Sequence, residues 1–179
     1  MKNSKIRIEG IDGFSFLMAG DVPHSVYPPT AGGYWKHLVS DVEPKKVLML
    51  GIAGGTIARL ILEKYPKAEI TGVDYSPEIL DWAKKYLKLD EIRMDIKIAD
   101  AFDYVLKEEK KYDLIIVDLV DGYWYPIKVF SPSFVNELLR ILNMGGQILI
   151  NAPNLDWLVD QVFKPVYKKE VRENVIWGQ

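Results

Sequence analysis

The sequence predicts an α/β domain with a mainly parallel sheet flanked by helices on both faces, preceded by a short β-hairpin. Two observations carry most of this. From Val47 onward, short β-branched or apolar runs alternate with amphipathic stretches, the pattern of βα units. Before that point the chain instead shows two apolar-alternating runs around Gly10-Ile11-Asp12-Gly13, a hairpin signal. At 179 residues the chain suits one domain with a small appendage. The expected division is an N-terminal hairpin and loop over residues 1–40 and a ligand-binding α/β domain over residues 41–179.

Taken in order, Ile6 to Glu9 and Phe14 to Met18 are the expected hairpin strands, and Pro23, Pro28, Pro29, Gly32 and Gly33 then mark a loop. Five strands are expected at Val47-Leu50, Glu69-Asp74, Ile96-Ala99, Leu114-Asp118 and Gln147-Asn151. Four helices are expected between them, at Thr56-Lys64, Pro77-Leu87, Ala101-Lys107 and Ser133-Leu142. Ser76 before Pro77 supplies a side-chain acceptor and a residue suited to the first helical position. Ser131-Pro132 and Gly145-Gly146 bracket the last of these helices in the same way. In the helix from Pro77, Ile79, Leu80, Trp82, Ala83, Tyr86 and Leu87 gather on one side, opposite Asp81, Lys84, Lys85 and Lys88. Beyond Asn151 a short helix around Leu155-Phe163 and a strand at Asn174-Trp177 are expected.

Composition narrows the function classes. A hydrophobic fraction of 49% with 27% charged residues is that of an ordinary globular protein. No apolar run approaches the ~20 residues of a membrane span, and the N-terminus lacks the apolar core of a signal peptide, so a cytoplasmic location is expected. With no cysteine there is no thiolate nucleophile, and His24 and His37 are not spaced as a helical ligand pair, so no metal site is expected. The net charge is −2, and the basic stretch from Lys164 to Arg172 is broken by Glu170, so neither nucleic acid nor membrane is an expected partner.

The chemistry concentrates at the first strand-to-helix turn, Gly51-Ile52-Ala53-Gly54-Gly55-Thr56. Glycines there let a ligand approach the backbone beside a helix N-terminus. Asp74 ends the next strand, where a carboxylate can accept from ribose hydroxyls. The two together point to a nucleoside-bearing ligand. A dinucleotide fingerprint would want glycine at positions 51, 53 and 56, and the chain has Gly51, Ala53 and Thr56, which weakens the nicotinamide reading. Asp100 is equally suited to meeting an adenine amino group and to capping the helix that follows.

These segments, with Gly72-Val73-Asp74-Tyr75-Ser76-Pro77-Glu78, Ala99-Asp100-Ala101, Tyr112 to Asp118 and Gly145-Gly146, resemble the class I S-adenosylmethionine-dependent transferases. Within them, the resemblance is to the spermidine synthase-like branch, and it runs from Lys46 to Asn151. It implies a Rossmann-like class I methyltransferase fold. It also implies a cofactor, S-adenosylmethionine or its decarboxylated form, held by Gly51, Ala53, Gly54, Gly55, Asp74, Tyr75, Asp100, Ala101 and Asp118. Asp118 and Asp121 have the spacing of that branch's paired aspartates, one of which could deprotonate or orient an amine. The alternative is that Asp118 orients the cofactor and Asp121 precedes Gly122 in a turn. Tyr123, Trp124, Tyr125 and Pro126 form an aromatic run beyond the sheet edge, where an acceptor pocket or a lid is expected, and His24, Tyr34 and Trp35 could close it from the N-terminal side.

Two departures from the branch bear on the substrate. Gly54 stands where spermidine synthases have an aspartate, and Tyr34-Trp35-Lys36 corresponds to their Tyr-His-Glu, exchanging an acidic group for a basic one. Both remove pairing for a polyamine. The leading expectation is therefore methyl transfer from S-adenosylmethionine to a small acceptor. Aminopropyl transfer from decarboxylated S-adenosylmethionine is the alternative, followed by cofactor binding without turnover. A homodimer is expected to cover a sheet edge left short after Asn151.

Overall fold

The computed structural model describes residues 5–30, 32–120 and 125–151 with their side chains, and the backbone of 175–178. It contains two sheets. The first is antiparallel, in the order β1-β2-β3, from β1 (Ile6–Ile11), β2 (Phe14–Ala19) and β3 (Val22–Tyr27). The expected hairpin is there, with Ile11 opposite Phe14 and Asp12 and Gly13 at φ 50° and 83°, the left-handed pair that a two-residue turn demands. What had looked like loop from Pro23 onward is a third strand. Proline lacks a ladder donor, but β3 lies at the edge of its sheet, where a missing N–H costs nothing. Alternation fails as a signal there because a bulge at Leu17/Met18 shifts the register.

The second sheet has six strands in the order β6-β5-β4-β7-β8-β9, every neighbouring pair parallel. They are β4 (Lys46–Leu50), β5 (Glu69–Asp74), β6 (Met94–Ile98), β7 (Tyr112–Val117), β8 (Leu142–Asn151) and β9 (Val175–Gly178). From β4 the chain winds outward through β5 and β6, then returns to the other side of β4 as β7. The crevice between the carboxyl ends of β4 and β7 is thus the switch point at which open α/β sheets bind ligands.

Along β4, Leu48 and Leu50 face one core while Val47 and Met49 face the other, and all four are fully buried. Burial on both faces is why the strand reads as an unbroken apolar run. Each such side chain contributes roughly 1.5–3 kcal/mol. The helices α1 (Thr56–Lys64) and α2 (Pro77–Leu87) cover the Val47 face, and α3 (Ala101–Lys107) and α4 (Pro132–Arg140) cover the Leu48 face. In α2 the serine cap is in place, with Ser76 Oγ accepting from Ile79 N at 3.2 Å. Tyr86 does not join the core. It is 40% exposed and leans on Trp82, with ring centroids 5.2 Å apart.

The end of the sheet also departs from expectation. Gly145-Gly146 does not separate helix from strand, because β8 starts at Leu142 and runs through the glycines. The pairing jumps from Tyr112 opposite Leu142 to Leu114 opposite Gln147, and Gly145, at φ 79°, takes up the extra length. The strand expected at Asn174-Trp177 is present as β9, and the helix expected at 155–163 lies outside the described residues. No helix among the described residues is long and apolar enough to cross a membrane.

Candidate functional site

The glycine turn is built by close approach. Gly51 has φ 86°, and a Cβ there would lie 2.3 Å from the carbonyl oxygen of Asp118, so only glycine lets the end of β4 pass the end of β7. Gly55, at φ 80°, leads into α1, and a Cβ on it would lie 2.4 Å from Ile92 Cδ1. Gly54 is constrained by space instead. A Cβ on it would sit 2.7 Å from both Leu87 Cδ2 and Ser25 Cβ.

Every backbone N–H from Ile52 to Gly55 already has an acceptor within the protein. Asp74 Oδ2 accepts from Ile52 N at 3.1 Å and Ala53 N at 3.0 Å, while its Oδ1 accepts from Ser76 N at 3.0 Å. Ser25 Oγ accepts from Gly54 N at 2.7 Å, and Ile52 O accepts from Gly55 N at 2.8 Å. Thr56 Oγ1 accepts from Val26 N and donates to Val26 O, at 2.8 and 3.0 Å, which docks β3 across the first turn of α1. The turn from Ile52 to Gly55 is therefore not an open anion cradle. Three of the roughly four acceptor positions of the Asp74 carboxylate are used, leaving one for a ligand hydroxyl.

A cavity of about 400 Å³ opens over this crevice. It gathers Gly51, Ala53, Asp74, Tyr75, Asp100, Ala101 and Asp118 from the expected cofactor set, with His24 and Tyr34 from the expected acceptor set. Gly54 and Gly55 do not line it; they are buried beneath the turn. Asp100 does cap α3, its Oδ1 accepting from Phe102 N at 2.8 Å and Asp103 N at 3.1 Å, yet it also borders the cavity. Asp121, Tyr123 and Trp124 lie outside the described residues. Lys36 is exposed and does not line the cavity, so it makes no direct contact with a group bound there.

Asp118 is the most perturbed acid of the site. Its Oδ2 accepts from Tyr34 Oη at 3.2 Å and its Oδ1 from Asn151 Nδ2 at 2.7 Å. Burial pushes its carboxyl group up to about 6; the two hydrogen bonds pull down and the nearby Asp74 charge pushes further up. Burial and the Asp118 charge in turn hold Tyr34 and Tyr125 protonated, well above the usual phenol range. A polarised carboxylate between two tyrosines and an amide can take a proton from, or pair with, a cationic or hydrogen-bonding group in the cavity. Two participants escaped sequence reasoning. Ser25 carries no local signal, since its partner is 29 residues away. Asn151 was marked only as a strand end, and the order β7-β8 is what sets it beside Asp118.

Residues 36–175 match the family model described as the spermine/spermidine synthase domain. The polyamine aminopropyltransferase of Bacillus subtilis (strain 168) is 27% identical over 141 residues, covering 76% of this chain and 50% of its own. The chain thus spans about half the length of the curated relatives it matches. Among solved structures, a probable spermidine synthase from Corynebacterium glutamicum superposes with a TM-score of 0.72 at 19% identity, covering 84% of this chain and 61% of that one. Spermidine synthase from Thermotoga maritima gives a TM-score of 0.67 at 22% identity, covering 97% and 62%. At these identities the structures show the fold.

Proposed function

Because the chain belongs to the spermine/spermidine synthase domain family, we propose that it transfers an aminopropyl group from decarboxylated S-adenosylmethionine to an amine. The observation that carries this reading is the charge of the cavity. Among the described residues its charged lining is Asp74, Asp100 and Asp118, with no lysine or arginine. A sulfonium donor and an amine acceptor are both cationic and suit such walls. The carboxylate of intact S-adenosylmethionine would meet neither a cation there nor a free N–H between Ile52 and Gly55.

In this reading Asp74 accepts from the ribose, Tyr75, Asp100 and Ala101 border the adenine, and Asp118 serves the acceptor. The amine nitrogen forms a bond to the carbon on sulfur, the carbon–sulfur bond breaks with its electron pair on sulfur, and the proton lost from nitrogen passes to Asp118. A carboxyl group near 6 is a stronger base than an ordinary aspartate. Asp121, Tyr123 and Trp124, outside the described residues, are acceptor-side candidates on the sequence resemblance alone.

The sequence-based preference for methyl transfer loses its two supports. Lys36 is exposed and, like Gly54, does not line the cavity, so neither departure from the branch falls on its described walls. Incubation with decarboxylated S-adenosylmethionine and a panel of diamines, read by mass spectrometry, is expected to release methylthioadenosine. Release of S-adenosylhomocysteine from S-adenosylmethionine, with no methylthioadenosine, would reverse the assignment. Binding of both donors without turnover would favour a non-catalytic role. The homodimer expected to cover the sheet edge after Asn151, where β9 pairs with β8, is tested by light scattering at micromolar concentration.

A further inference from the structure

We propose that Asn151 is a positioning residue, whose amide fixes the Asp118 carboxylate in the plane it needs to receive the acceptor's proton. The inference rests on the reading of Asp118 as the base, and it starts from register. Val117 pairs with Ile150, so the next residue on each strand, Asp118 and Asn151, are neighbours at the carboxyl edge of the sheet. Asn151 is only 4% exposed, and its backbone is held on the far side by Gly178 of β9. A buried amide fixed by two strands has little freedom to turn away. An ionised carboxylate only accepts hydrogen bonds, so the amide must present its NH₂ group, as it does at 2.7 Å from Oδ1.

The two oxygens of Asp118 are thereby held by different parts of the chain, Oδ1 by Asn151 and Oδ2 by Tyr34. Rotation about the Cβ–Cγ bond breaks both contacts, so the pair sets the direction of the remaining lone pairs toward the cavity. The same contacts favour the ionised form, against burial and against Asp74. The other titratable groups around Asp118 among the described residues are Tyr34 and Tyr125, with His24 also lining the cavity. Neither tyrosine offers a second charge to offset the loss of the amide.

The test is titration of the Asp118 carboxyl by carbon NMR, assigned with Asp118→Asn, in the wild type, Asn151→Ala and Asn151→Asp. The last is nearly isosteric and keeps the test open if the alanine variant does not fold. Loss of a hydrogen bond to a charged group should raise the Asp118 midpoint by about one pH unit in Asn151→Ala. In Asn151→Asp, two carboxyls at this separation should share a proton and titrate in two steps, the upper above the wild-type midpoint. The acid limb of kcat/KM should move with them, kcat falling more than donor KM changes. Midpoints within about a third of a unit of wild type in folded variants would overturn the proposal. The titration needs neither donor nor acceptor, so it stands apart from the transferase reading, which fails separately if the wild type releases no methylthioadenosine.

Discussion

The hydroxyl of Ser25 accepts the amide proton of Gly54 at 2.7 Å, and the Ser25 Cβ stands 2.7 Å from where a Gly54 side chain would begin. An N-terminal strand thereby decides what the glycine turn can carry. Gly54→Asp, the substitution that would restore the aspartate of spermidine synthases, is expected to destabilise the protein by about 1–3 kcal/mol through overpacking. It should not raise activity toward diamines. Urea denaturation and the methylthioadenosine assay check the two halves, and Gly54→Asp with Ser25→Gly should recover part of the stability.

Asp118→Asn is expected to lower kcat by about 10²- to 10⁴-fold while leaving donor affinity within a few-fold. Calorimetric donor binding beside steady-state kinetics separates the two.

The pH dependence of stability follows from the same residue. The folded carboxyl sits at about 6, above its ordinary 3.8, so between those values the folded state holds the proton more tightly than the unfolded chain does. This group's contribution to stability therefore falls as pH rises from 4 to 6, and the cost stands in full above 6. Asp118→Asn should be more stable than wild type at pH 7 by about 1–3 kcal/mol and nearly equal to it at pH 3, measured by denaturant midpoints.

Asp74→Ala leaves the amides of Ile52, Ala53 and Ser76 without their acceptor. A loss of at least about 2 kcal/mol is expected, since each unsatisfied buried donor costs ~1–3 kcal/mol. Donor binding should weaken by tenfold or more. Thermal melts with and without donor read both effects.

Lys36→Glu should leave kcat/KM for a diamine within about twofold of wild type, because the side chain is exposed and outside the cavity. A larger gain would bring back the repulsion argument drawn from sequence.

The β4 to β8 region was legible because β4, β5 and β7 are buried along nearly their whole length and three helices carry a side-chain start signal, at Ser76-Pro77, Asp100 and Ser131-Pro132. The cofactor side was legible for a related reason: Gly51, Asp74 and Asp100 all sit at strand ends, and strand ends converge in this topology. What stayed hidden depends on contacts between distant segments. Pro23 looked like a breaker because nothing local says that β3 is an edge strand. Gly145 looked like a boundary because a bulge within β8 needs the partner strand to define it. Gly54 looked like a statement about the acceptor, whereas its neighbour in space is Ser25.

The pairing of Val26 with Thr56 also bears on how the chain assembles. The two are 30 residues apart, and β3 leaves the ribosome well before α1 does. Until Thr56 emerges, the Val26 backbone has no Thr56 hydroxyl to meet, and the hairpin has no helix to rest on. A two-stranded hairpin alone is marginally stable in water, and a three-stranded sheet needs its apolar face covered. The first sheet should gain its protection from hydrogen exchange only together with the start of α1, so that this antiparallel sheet and the glycine turn open and close as one cooperative unit.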